Sequence, residues 1–138
     1  MSLGIRMASA AAGALAVLCT VAPAHAQPTD DGGPSAVTLT VAKGNSLDSS
    51  TDQRTVLLVC APVQGGTHPD PAAACAEIAA AGGDFEKLRG HPERFCAMIY
   101  QPVTLAADGV WNGHQINYRQ TFPNQCQADN RSTTVFHF

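Results

Sequence analysis

The chain has 138 residues, with 8 Lys and Arg against 11 Asp and Glu and a formal net charge of −3. That balance, without any basic cluster, excludes nucleic acid and an anionic membrane surface as partners. The length provides one domain and excludes a large multidomain enzyme.

Residues 1–26 read as a secretory signal: Arg6 lies in a short n-region, an apolar run follows from Met7 to Val21, and Ala24-His25-Ala26 forms a small-residue cleavage site. The expected product starts at Gln27 and is exported. No later stretch reaches the roughly 20 apolar residues of a spanning helix. Residues 27–35, rich in Pro, Gly and Asp, are expected as a mobile tail, and 36–138 as the folded domain.

Val37-Thr38-Leu39-Thr40-Val41 alternates with period two, and Thr55-Val56-Leu57-Leu58-Val59-Cys60 is a β-branched and aliphatic run. Both are predicted strands, the first half exposed and the second more buried, joined through a polar turn from Lys43 to Gln53. Gly65 to Pro69 reads as loop. Asp70 then caps a helix with Pro71 in its first turn, an inner face of Cys75, Ile78 and Ala79, and a stop at Gly82-Gly83. Asp84 caps a second, short helix through Phe85 and Leu88, ended by Gly90 and Pro92.

Val103-Thr104-Leu105, an Asp108-Gly109 turn, Val110-Trp111, an Asn112-Gly113 turn and Gln115 to Phe122 predict antiparallel strands. Val135-Phe136-His137-Phe138 is expected as a fifth strand, and Trp111 as core. The order β, β, α, α, β, β, β predicts an α+β domain with its helices on one face of an antiparallel sheet.

Of the five cysteines, Cys19 falls in the signal, leaving Cys60, Cys75, Cys96 and Cys126. An even set in an exported domain reads as two disulfides, with three connectivities open. None stands in the C-x-x-C spacing of a zinc site.

Catalytic chemistry finds no setting. Ser35, Ser46, Ser49, Ser50 and Ser132 lie outside any G-x-S-x-G context. His91-Pro92-Glu93 lacks the second histidine of a zinc protease, and Pro92 would break the helix that motif needs. Paired cysteines leave no thiolate nucleophile. His68, His91, His114 and His137 recur at equal intervals without a repeating apolar pattern, so the regularity is assigned to chance. Asn130-Arg131-Ser132 fits the glycosylation sequon. Neither enzyme activity, a cofactor nor a metal is expected.

The segment Phe95-Cys96-Ala97-Met98-Ile99-Tyr100-Gln101-Pro102 is apolar without clean alternation, and it leads from a half-cystine into a proline. The residues allow two readings. One is the start of a buried strand; the other is an exposed, extended segment tethered by a disulfide, the form in which a small protein enters a protease cleft.

Together with Val103-Thr104-Leu105, Asp108-Gly109-Val110-Trp111-Asn112-Gly113 and the ending Ser132 to Phe138, this segment resembles the Streptomyces subtilisin inhibitor family. Ser35 to Val41, Cys60-Ala61-Pro62, Gly66 to Pro69, and the helix from Cys75 to Ala80 with Gly82-Gly83-Asp84 match as well. The similarity covers nearly all of the expected product. It implies the pairs Cys60–Cys75 and Cys96–Cys126, a five-stranded antiparallel sheet with two helices, and a homodimer formed through the sheets.

The resemblance also implies reversible inhibition of subtilisin-type serine proteases. Met98 then falls on P1 and Ile99 on P1′, with Phe95, Cys96 and Ala97 at P4, P3 and P2 and Tyr100 at P2′; Gln101 and Pro102 complete the contacting loop. Ala97 stands where Pro is common and Gln101 where Asp is usual. Ala97 does not lock φ, so a looser, more readily cut loop is expected. Three rival readings are an exported binding module with Met98 in its core, a small secreted hydrolase, and a regulator or cross-linking substrate of the producer's extracellular enzymes offering Gln27 and Lys43.

Overall fold

The computed structural model describes residues 32–138. The expected signal and most of the expected tail lie outside the described residues. Strand β1 (Ser35–Lys43) starts inside the segment read as tail; β2 (Gln53–Ala61) and a two-residue β3 (Gly65–Gly66) follow. Helix α1 (Pro71–Ala80), strands β4 (Val103–Trp111) and β5 (His114–Phe122), and helix α2 (Gln125–Asp129) complete the element order. All pairings are antiparallel, in the order β3-β2-β1-β4-β5.

Alternation along β1 sets one face inward: Val37 pairs with Leu58, Leu39 with Ala107 and Val41 with Leu105, all buried. Because β1 is the central strand, its other face is also largely hidden, with Thr40 and Ala42 buried. The first half of β2 is exposed. This reverses the expected burial of the first two strands, because period-two patterning marks the core face whereas the position in the sheet decides how much of the other face is covered.

Helix α1 lies over this core. Asp70 caps it, its side chain accepting from the Ala73 N–H at 3.1 Å, which satisfies one of the orphan donors of the first turn. Its inner face is Ala74, Cys75 and Ile78, while Ala79, expected inside, is exposed. The Cys60–Cys75 disulfide closes 15 residues and fastens α1 to β2, and Cys96–Cys126 closes 30. Trp111 packs half-buried against the core, as expected. Its indole fills the space beside Gly83, where a Cβ would meet it at 2.3 Å.

Three expected elements differ. Asp108-Gly109 is no turn, because β4 runs through it; Gly109 takes φ 149°, and a Cβ there would lie 2.2 Å from the Ala36 carbonyl oxygen, so glycine serves close strand approach. The hairpin turn is Asn112-Gly113, with φ 48° and 76°, the left-handed pair that matches strand twist.

Phe85–Lys87 forms one 3₁₀ turn capped by Asp84, in place of the second helix. That helix is α2, which the sequence reading passed over.

Val135 to Phe138 forms no strand, so the fifth strand is Gly65–Gly66, read as loop. The Glu77 carboxylate accepts from the N–H groups of Thr133, Thr134 and Val135 at 2.6, 2.8 and 3.1 Å. His68 Nε2 meets the Val135 carbonyl at 3.2 Å. These backbone groups are satisfied by side chains and need no neighbouring strand. Val135 and Phe136 are buried beneath the sheet.

Candidate functional site

Between the 3₁₀ turn and β4 the chain is irregular, and residues 94–102 form a loop with no regular structure. Four large apolar side chains stand out from it: Met98 is 93% exposed, Phe95 89%, Tyr100 72% and Ile99 57%. Leu39 and Leu58, no more apolar, are fully buried. The buried-strand reading of this segment is thereby excluded. A contiguous exposed apolar group on a small domain marks a surface made to meet another macromolecule.

Fixed attachments hold the loop from beneath. Cys96 is bonded to Cys126 in α2. Two residues before that cysteine, Asn124 is buried at 7% exposure, and its amide nitrogen donates to the carbonyls of Ala97 at 3.1 Å and Ile99 at 2.9 Å. Both donors of one side-chain amide therefore brace the carbonyls on either side of Met98. The Oδ1 of the same residue accepts from the Gln127 N–H at 3.0 Å, capping α2. Asn124 is thus fixed by the helix it starts and in turn fixes the loop.

The carbonyl of Ala97 also accepts from the Ile99 N–H at 2.9 Å, tightening the chain about Met98. On the C-terminal side the Tyr100 hydroxyl donates to Asn45 Oδ1 at 2.8 Å. The Gln101 N–H donates to the Pro123 carbonyl at 2.8 Å, and the Gly44 N–H to the Pro102 carbonyl at 2.7 Å. The loop between β1 and β2 thus forms one wall. At its base Lys43 lies 2.6 Å from Asp52, and the hydrogen bond and charge of that ammonium hold the Asp52 carboxyl below its ordinary range. Both groups face water, so the pair adds little.

The segment marked out in the sequence is therefore one surface. Phe95, Ala97, Met98, Ile99, Tyr100 and Gln101 are exposed along it, and Cys96 and Pro102 are half-buried anchors. Sequence reading missed Asn45, Asn124 and Asn130, which supply its bracing. Asn124 had a local signal, because an Asn after Pro123 and ahead of Gln-Cys-Gln-Ala is an N-cap pattern. Asn45 and Asn130 had none.

This geometry turns the apolar side chains of Phe95, Met98, Ile99 and Tyr100 out to solvent, and it keeps both sides of the Met98–Ile99 bond attached to the body. A family profile described as subtilisin inhibitor-like matches residues 33–124. The chain is 48% identical over 105 residues to subtilisin inhibitor-like protein 5 of Streptomyces fradiae, covering 76% of this chain and 98% of that one. It is 44% identical over 105 residues to the subtilisin inhibitor of Streptomyces albogriseolus, covering 76% and 73%. With the trypsin inhibitor STI2 of Streptomyces longisporus it shares 40% over 131 residues, covering 95% and 90%.

Among solved structures, Streptomyces caespitosus sermetstatin in complex with Bacillus licheniformis subtilisin superposes with a TM-score of 0.69 at 38% identity, covering 77% of this chain and all of that one. The chain belongs to the subtilisin inhibitor-like family.

Proposed function

We propose that this protein is a secreted inhibitor of subtilisin-type serine proteases that binds through residues 95–102, with Met98 as P1 and Ile99 as P1′. The observation that carries this reading is the pairing of a 93% exposed Met98 with a buried Asn124 bonded to the carbonyls on both sides of it. A flexible substrate peptide has the first feature and lacks the second. The family supports the reading, as does a similar protein solved in complex with a subtilisin.

The loop enters the cleft as an added strand, its backbone pairing with the enzyme and Met98 filling an apolar S1 pocket. Burying the Met side chain contributes roughly 1.5–3 kcal/mol. Preorganisation supplies the rest: a loop already held in place loses little entropy on binding. When the enzyme attacks the Met98 carbonyl, the amine-side fragment stays fixed through the Ile99 carbonyl, the Tyr100 hydroxyl and the Gln101 N–H. The acyl side stays fixed through Cys96 and the Ala97 carbonyl. The new amine remains where religation needs it, and release is slow. The bracing by Asn124 replaces the stiffness that Ala97 lacks at P2.

Titration of a subtilisin-type protease with the product starting at Gln27 tests this. Stoichiometric loss of activity, with slow cutting at Met98–Ile99 alone, is expected; full activity with an intact or widely degraded protein rejects the proposal. Asn124→Ala removes both braces and the α2 cap. It is expected to weaken inhibition about ten- to a hundredfold and to speed cutting at that bond, while the lost cap costs stability about 1 kcal/mol.

We further propose a homodimer formed through the sheet. On the outer face of the sheet Thr38 pairs with Leu57, and both are exposed, Leu57 at 43%. An exposed leucine beside a threonine at the middle of the sheet suits a second sheet. Light scattering should give twice the monomer mass; a monomer at micromolar concentration rejects the dimer.

A further inference from the structure

We infer that Asn130 is a second positioning residue of the reactive loop, holding its N-terminal limb against α2 while Asn124 holds the centre. This rests on the inhibitory reading above. Asn130 is the C-cap of α2 with φ −71° and ψ −13°, a right-handed helical conformation open to any residue, so the backbone does not call for asparagine.

The side chain explains the choice. Its Nδ2 donates to the Arg94 carbonyl at 3.0 Å and lies 3.3 Å from Cys96 Sγ. The main-chain carbonyl of Asn130 accepts from the His91 N–H at 2.8 Å. One short helix therefore carries three attachments to the loop, at Asn124, Cys126 and Asn130, and Asn130 is the one that holds Arg94, the residue before the exposed Phe95. The amide nitrogen that would carry a glycan in Asn130-Arg131-Ser132 is already committed to this contact.

The arrangement is poor for stability, since the Oδ1 of Asn130 is buried without a hydrogen-bond partner among the described residues. Leaving a buried acceptor unsatisfied is a cost that an alanine would avoid. Local rules broken in this way concentrate at functional sites. The benefit falls on the loop: Phe95 and Cys96 precede Met98 in the cleft, and a limb that swings freely must be ordered again on binding.

The test compares wild type, Asn130→Ala and Asn130→Asp. The second variant keeps the size, removes both donors and sets an acceptor against the Arg94 carbonyl. For each, the inhibition constant against subtilisin, the rate of cutting at Met98–Ile99, the melting temperature and the {¹H}–¹⁵N heteronuclear NOE of the Arg94 and Phe95 amides are measured. Both variants are expected to raise the inhibition constant and the cutting rate about five- to tenfold, and to lower the NOE at Arg94 and Phe95. For Asn130→Ala the melting temperature stays level or rises, which separates loop positioning from general support of the fold. Wild-type inhibition, cutting and NOE values in both variants would overturn the inference. If wild type itself fails to inhibit, the proposed function falls, and the NOE comparison alone decides whether Asn130 positions the limb.

Discussion

Met98→Lys is expected to move inhibition from subtilisin-type to trypsin-like proteases, by at least about a hundredfold in each direction of the ratio. The side chain at position 98 meets almost nothing of its own protein, so the change leaves the fold and the bracing of the loop intact. In the enzyme the balance reverses. An acidic S1 pocket filled by Met holds an unpaired, desolvated carboxylate, whereas Lys pairs with it. Leaving one partner of a buried pair alone costs about 3–5 kcal/mol, which is a factor of about a hundred to several thousand. An apolar S1 pocket must in turn take up an ammonium without a partner. Inhibition constants of both variants against one subtilisin and one trypsin measure the ratio, and an unchanged ratio rejects Met98 as P1.

The double substitution Cys96→Ser with Cys126→Ser should turn the inhibitor into a substrate. The bond closes 30 residues; on the chain-entropy account its loss costs about 3–4 kcal/mol, or on the order of 10–20 °C in melting temperature for a domain of this size. Its effect on the loop is larger than its effect on the fold. With Met98–Ile99 as the proposed scissile bond, Cys96 is the covalent anchor on its acyl side, so its loss is expected to let the cut fragment leave before religation. Cutting at that bond is expected to become fast and inhibition transient.

The pair Cys60→Ser with Cys75→Ser is the control. That bond closes 15 residues between β2 and α1, away from the loop, and its removal should lower stability by about 3 kcal/mol while leaving the cutting rate unchanged where the protein remains folded. Equal cutting rates in the two double variants, measured well below both melting temperatures, would contradict this division of roles.

Much of this was legible in the sequence because it follows from local chemistry. Val37 to Val41 alternates, Asp70 and Pro71 open a helix, and Asn112-Gly113 demands a hairpin; each signal lies within a few residues and each element formed. The resemblance carried the disulfide pairing, and the structure has the same two bonds. The same resemblance, and not the local pattern, pointed to Met98. What only the tertiary structure decided are the relations between distant segments. Asp108-Gly109 looks like a turn until β1 is laid beside it, when glycine proves necessary because the Ala36 carbonyl comes so close. Val135 to Phe138 look like a strand until Glu77 takes the N–H groups of Thr133, Thr134 and Val135 and the Ser132 hydroxyl takes that of Phe136. Exposure of residues 95–102 was equally undecided, because an apolar run reads the same whether it fills a core or leaves one. The side chains that brace it, Asn45, Asn124 and Asn130, come from segments far along the chain. Sequence patterns report what a residue prefers among its neighbours, whereas a brace exists only once folding brings its donor to another segment's carbonyl.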